Sequence, residues 1–257
     1  MSSETRIVKP IIYSLFVFTI TMPFIWAILY PLFVKMPEYY GSAFKYFLSL
    51  LSSLGLCFAL DKGIKFSLKN KNFVKGLFSY GLLGIICAVA AFVFSYSPVD
   101  HSTTPIKVVG YILYCLMIAM SEEFIFRGMI LHRFIQCKNG IFTAVFFSSI
   151  IFGMRHFLNL ITMPNTVIST IGQVLFTFMA GFYLCAVYIK TENIWICVLI
   201  HFMEDFSSGF WALVSSEAYA SQNVDGEILQ VVLLVVVHSI YVIFGVLMLK
   251  KDRHKLY

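Results

Sequence analysis

Glu122, Glu123 and Arg127 stand together in Ser121-Glu122-Glu123-Phe124-Ile125-Phe126-Arg127-Gly128, inside a long apolar stretch. An ionised side chain at bilayer depth costs roughly 2.5–3.5 kcal/mol to insert. Three of them within six residues therefore point to chemistry rather than decoration. Glu123 and Arg127 are four apart, so they share a helix face in the favourable acid-before-base order. Pairing them offsets the cost of burying both. Glu122 lies about 100° round the helix, away from that pair. A buried carboxylate outside an ion pair suits general-base or general-acid work near neutral pH.

Two histidines in later apolar stretches are the natural partners. His156 ends Phe152-Gly153-Met154-Arg155-His156. A turn is expected near Cys137-Lys138-Asn139-Gly140, and Glu122 and His156 lie at equal separations on either side of Asn139. Equal distances from the turn of an antiparallel helical hairpin mean equal depth. The carboxylate and the imidazole can therefore face each other. His201 and Asp205, four apart in His201-Phe202-Met203-Glu204-Asp205, share one helix face. A carboxylate beside an imidazole fixes its tautomer and raises its basicity. Glu204 points elsewhere and suits a supporting role.

Together these residues form a candidate hydrolytic site. Glu122 would draw a proton from water and pass it to a leaving amine. The imidazoles would orient that water, stabilise an oxyanion or hold a metal. Glu122, His156 and His201 are a zinc-compatible ligand set, although the H-E-x-x-H spacing of common zinc proteases is absent. A serine mechanism is disfavoured by the lack of G-x-S-x-G, and no glycine-rich phosphate loop occurs. None of the six cysteines forms a C-x-x-C pair, so disulfide and thiol-metal readings are weak.

The elements that must position these groups are membrane helices. The chain has 257 residues, 60% of them hydrophobic and only 12% charged. Soluble domains are nearer 25% charged. Eight spans are expected, at about Ile11–Phe33, Ala43–Leu60, Val74–Tyr96, Val108–Phe134, Ile141–Phe157, Val167–Ile189, Ile194–Leu213 and Ile228–Leu249. The alternating pattern of barrel strands is absent. The fold class is all-α: a polytopic membrane helical bundle. It is expected to form one integral membrane domain over 1–257, with a four-helix catalytic core at about 106–213.

Charge then orients the chain. With both termini inside, cytoplasmic segments hold Arg6, Lys9, Lys62, Lys65, Lys69, Lys71 and Lys75. They also hold Arg133, Lys138, Lys190, Lys250, Lys251, Arg253 and Lys255. The opposite side holds only Lys35, Lys45, Lys107 and Arg155, apart from the site candidate Arg127. The positive-inside rule thus gives cytoplasmic N- and C-termini in the cell membrane. The net charge of +6 reflects this topology and contact with anionic lipid, not nucleic-acid binding. The apolar run after Pro10 is too long for a cleaved signal and reads as an uncleaved first span.

The motifs resemble those of the CPBP family, which includes type II CAAX prenyl endopeptidases and Abi-type bacteriocin-processing proteases. The family patterns E-E-x-x-x-R, F-x-x-x-H and H-x-x-x-N/D stand here as Glu122-Glu123-x-x-x-Arg127, Phe152-x-x-x-His156 and His201-x-x-x-Asp205. They fall in order in the expected fourth, fifth and seventh spans. The resemblance implies an intramembrane endopeptidase of a bacterial kind. Glu122 would be the base that activates water, with His156, His201 and Asp205 completing the catalytic set and Glu123 and Arg127 supporting it. It implies a peptide or membrane-protein substrate and a role in bacteriocin self-immunity or peptide processing, with a bacteriocin or its membrane receptor as partner. Zinc is the one cofactor it raises. Asp205 occupies a position often held by Asn. Asn can donate to an oxyanion and an ionised Asp cannot, so Asp205 is expected to orient His201 or help bind a cation. The competing reading is a non-catalytic membrane protein that binds a peptide or receptor. A proton-relay transporter is disfavoured, because repeated halves and broken helices are not evident.

Overall fold

The computed structural model describes residues 27–33, 35–37, 39–60, 70, 72–99, 103–136, 140–162, 166–215 and 224–250. Those residues are almost wholly helical and contain no strand, only an isolated antiparallel bridge between Val99 and Ser215. The helices are α1 (Tyr40–Leu60), α2 (Phe73–Phe94), α3 (Pro105–Gln136), α4 (Ile141–Leu158), α5 (Val167–Thr191), α6 (Ile194–Val214) and α7 (Val224–Lys250). Six of them, α2 to α7, are long and apolar enough to cross a membrane. The protein is therefore an all-α, polytopic membrane protein. Six expected spans agree with α2–α7 to within a few residues, and the second corresponds to α1. Most of the first, Ile11–Phe33, lies outside the described residues, of which 27–33 are helical.

Local sequence explains the helix boundaries. Pro105 occupies the first turn of α3, where its missing N–H costs nothing, after an extended Thr104. Gly140 precedes α4 with φ 88°, a conformation a side chain would strain. Asn193 caps α6: its side chain accepts a hydrogen bond from the Trp195 N–H at 3.0 Å. The Asn193 amide also donates to Asn70 Oδ1 at 2.8 Å, tying the start of α6 to the segment before α2.

Among the described residues, α3 is the longest apolar helix, at 32 residues. At 1.5 Å per residue it runs about 48 Å, well beyond a hydrocarbon core of about 30 Å. It is not uniform. Residues Phe126–Ile130 form a π-helical turn, which begins three residues after Glu123 and includes Arg127. Such turns recur at functional sites.

The helices group into two compact units, with divisions at Met129/Ile130 in α3 and at Lys190/Thr191, before the last residue of α5. One unit contains α1, α2, residues 105–129 and α6. In it α1 and α6 pack on α3, and α2 packs on α6. Trp211 donates from Nε1 to the Phe92 carbonyl at 2.6 Å, and Tyr40 donates to the Ile106 carbonyl at 3.0 Å. The other unit contains residues 130–136, α4, α5 and α7. Here the 131–136 segment packs on α4, and Tyr183 of α5 stacks on Tyr241 of α7 with ring centroids 4.8 Å apart.

Candidate functional site

The charged cluster of α3 is buried: Glu123 and Arg127 are fully enclosed and Glu122 is 2% exposed. Arg127 Nη1 donates to Glu123 Oε1 at 2.7 Å, so the pairing expected from the i,i+4 spacing is present. The neighbouring backbone is well supported, since Ser121 Oγ donates to the Ile118 carbonyl at 2.9 Å.

α6 brings His201 onto this cluster. The residue is buried, with its side chain 9% exposed, and Nδ1 lies 2.7 Å from the same Glu123 Oε1 that accepts from Arg127. Its other nitrogen, Nε2, is 3.6 Å from Asp205 Oδ2 and 3.9 Å from Glu122 Oε2. Both distances exceed a hydrogen bond. One imidazole therefore sits among three carboxylates, with a hydrogen bond to Glu123. The carboxylate hydrogen-bonded to Nδ1 is that of Glu123, from a different helix. The four-residue spacing brings Asp205 to the opposite nitrogen, Nε2, at ion-pair range. Asp205 is also the most accessible of the group, with its side chain 31% exposed.

Asn193 and a close helix contact set the register of α6. The capped Asn193 lies eight residues before His201, so α6 begins about two turns from the ring. Ile194, Ile196, Cys197 and Ile200 are buried along that stretch, which holds its rotation. Phe124 meets the Trp195 ring edge-on at 5.6 Å, a second contact between α3 and α6 beside the charges.

His156 belongs to the other unit. It lies on a tightened 3₁₀ turn, Arg155–Leu158, at the end of α4. Its ring meets Phe152 edge-on at 5.9 Å, which uses both defined positions of the F-x-x-x-H motif. The Asn159 N–H closes the turn onto the His156 and Phe157 carbonyls. The Asn159 side-chain amide then donates to Gln173 Oε1 of α5 at 2.8 Å. α4 approaches α5 closely: a Cβ on Gly153 would lie 2.8 Å from the Val174 carbonyl oxygen. Small residues permit such approaches between membrane helices.

Of the expected set, Glu122, Glu123, Arg127, His201 and Asp205 come together in one unit, and His156 lies in the other. The zinc set of Glu122, His156 and His201 is divided in the same way. Among the described residues, no group of three or more His, Cys, Asp or Glu side chains is arranged to hold a metal ion. The anchoring role of Glu123 was hidden in the sequence because its partner lies 78 residues away. The only local hint was that the motif carries a second carboxylate.

Residues 104–207 match the family model described as Type II CAAX prenyl endopeptidase Rce1-like. That segment spans all three motifs. No curated protein and no solved structure matches the chain.

Proposed function

Over residues 104–207 the chain carries a domain of the Rce1-like type II CAAX prenyl endopeptidase family, and on that premise we propose that it is an intramembrane endopeptidase acting through a Glu122-activated water. The observation that carries this reading is the arrangement around His201. A carboxylate anchors one ring nitrogen at 2.7 Å, while the other faces Glu122 and Asp205 at 3.9 and 3.6 Å. The ring is thereby pre-oriented, and the cost of fixing it is met before substrate arrives.

In the proposed reaction Glu122 accepts one proton of a water as its oxygen adds to the scissile carbonyl carbon. The tetrahedral intermediate then collapses. Its C–N bond breaks, and Glu122 returns the proton to the leaving nitrogen, giving one new carboxyl and one new amine. His201 presents its Nε2 edge to the same reacting centre, as a hydrogen-bond donor to the developing oxyanion when the ring is protonated. Glu123, held by Arg127, keeps the ring in place. His156 is assigned as the second imidazole of the site and Asp205 as the group that shapes the Nε2 side. General acid–base catalysis of this kind contributes about 10²–10⁴-fold.

The substrate class follows from the family description: a membrane-associated peptide or protein, with a prenylated C-terminal C-a-a-X sequence as the first to try. We place the biological role in bacteriocin self-immunity or peptide processing, in the cell membrane with both termini cytoplasmic.

New peptide termini should be compared, by mass spectrometry of membrane and secreted fractions, in cells expressing wild-type protein or Glu122→Ala at matched levels. Termini present only with wild type are the expected result and would identify the substrate. Identical profiles, with both proteins folded and a protective phenotype retained, would replace the peptidase with a non-catalytic membrane protein that binds a bacteriocin or its receptor.

A further inference from the structure

We propose that Tyr111 and Gly209 form a positioning latch between the two helices of the site, in which the Tyr111 hydroxyl sets the turn of α6 that carries Asp205. The inference rests on the peptidase reading and adds to it two residues outside the three motifs.

Tyr111 is 6% exposed and lies on α3, three turns before Glu122. Its ring is clamped by other aromatics: Tyr39 at 5.3 Å, Phe206 at 6.0 Å and Tyr114 at 6.2 Å. A phenolic hydroxyl in such an apolar setting needs a partner. It finds one in the backbone of the opposite helix, donating to the Asp205 carbonyl at 3.1 Å. Ser208 Oγ donates to that same carbonyl at 2.9 Å. A helix carbonyl that also accepts side-chain hydroxyls is drawn away from the axis and bends its turn. The affected turn is the one that runs from Asp205 to Gly209, and it starts at the residue whose carboxylate lies 3.6 Å from the His201 ring.

Gly209 makes the contact sterically feasible. A Cβ at that position would overlap the Tyr111 hydroxyl and would lie 3.3 Å from the ring carbon that bears it. Any side chain at 209 must therefore displace the hydroxyl from the Asp205 carbonyl. Besides their aromatic contacts, α3 and α6 are thus joined by hydrogen bonds between Glu123 and the His201 ring and from Tyr111 to the Asp205 backbone. The first fixes one nitrogen of the imidazole. The second fixes the carboxylate that faces the other.

The test is a double-mutant cycle on the full chain in detergent: wild type, Tyr111→Phe, Gly209→Ala and the double variant, with Glu122→Gln as the inactive control. The probe is a fluorogenic farnesylated C-a-a-X peptide, read as kcat and KM across pH, with thermal unfolding measured in parallel. Loss of a neutral hydrogen bond predicts a kcat reduction of about 3–10-fold for Tyr111→Phe at nearly constant KM. Gly209→Ala should fall further, by about 10–100-fold, as overpacking shifts the helix. The double variant should recover kcat relative to Gly209→Ala, because the colliding oxygen is gone. That recovery is the signature a merely structural pair would not give.

Additive losses, or no recovery in the double variant, would overturn the latch. So would coupling confined to thermal unfolding, with kcat of Tyr111→Phe equal to wild type. A wild-type protein no faster than Glu122→Gln on this probe and on the substrate found by terminal profiling would fell the peptidase reading itself, and the catalytic role of the latch with it. Coupling in the unfolding data separates that case from an incorrect contact.

Discussion

In the unit that holds Glu123, one carboxylate oxygen anchors both Arg127 and His201, each at 2.7 Å. In the unit that holds His156, the imidazole rides on a tightened last turn, braced by the Phe152 ring and by an Asn159–Gln173 bond. The contacts described for the first imidazole are charged groups, and those described for the second are an aromatic ring and a tightened turn. Charge-held groups fail abruptly, because removing one partner strands another in a low-dielectric interior. Packing-held groups fail by degrees, as contacts loosen or overfill.

Four substitutions would break or sharpen that contrast. The largest effect is expected at the carboxylate that does the chemistry. Glu122→Gln keeps the shape and removes the base, so kcat on a cleaved substrate should fall about 10²–10⁴-fold, with the unfolding temperature little changed. A fall below tenfold would remove Glu122 from that role. Next is Arg127→Met, which leaves Glu123 buried without its guanidinium. Equilibrium unfolding in mixed detergent should show a loss of about 3–5 kcal/mol. A variant as stable as wild type would mean that His201 alone satisfies Glu123.

The region around His156 should respond less at the two contacts tested there. Gly153→Ala places a methyl against the Val174 carbonyl, and overpacking of this kind costs about 1–3 kcal/mol. Thermal unfolding would measure it, and a neutral result would show that α4 and α5 can separate without penalty. Asn159→Ala should be mildest, at about 0.5–1.5 kcal/mol for one side-chain hydrogen bond. Hydrogen exchange should then report faster opening of the 3₁₀ turn, with residues 105–129 unaffected. Equal responses in both regions would erase the contrast.

The sequence carried much of this arrangement. Expected span boundaries match α2 to α7 closely, because membrane helices must satisfy their backbone internally and their apolar length is fixed by the bilayer. The Glu123–Arg127 pair was equally legible, since i,i+4 spacing is local geometry. Less legible was the π-helical turn at Phe126–Ile130, whose residues are ordinary helix formers in an apolar run. The division of the helices into two compact units was not anticipated either.

Sequence by itself determined that this is a helical membrane protein with buried acid, base and imidazole groups at definite places along its spans. Hydropathy and helical spacing are properties of neighbouring residues, and they survive without knowledge of the fold. Only the tertiary structure decided which carboxylate holds which nitrogen. His201 Nδ1 turned to Glu123 on another helix, and Tyr111 reached the Asp205 backbone across the same helix pair. Those choices depend on the distance and rotation between α3 and α6, which arise from side-chain packing far apart in sequence.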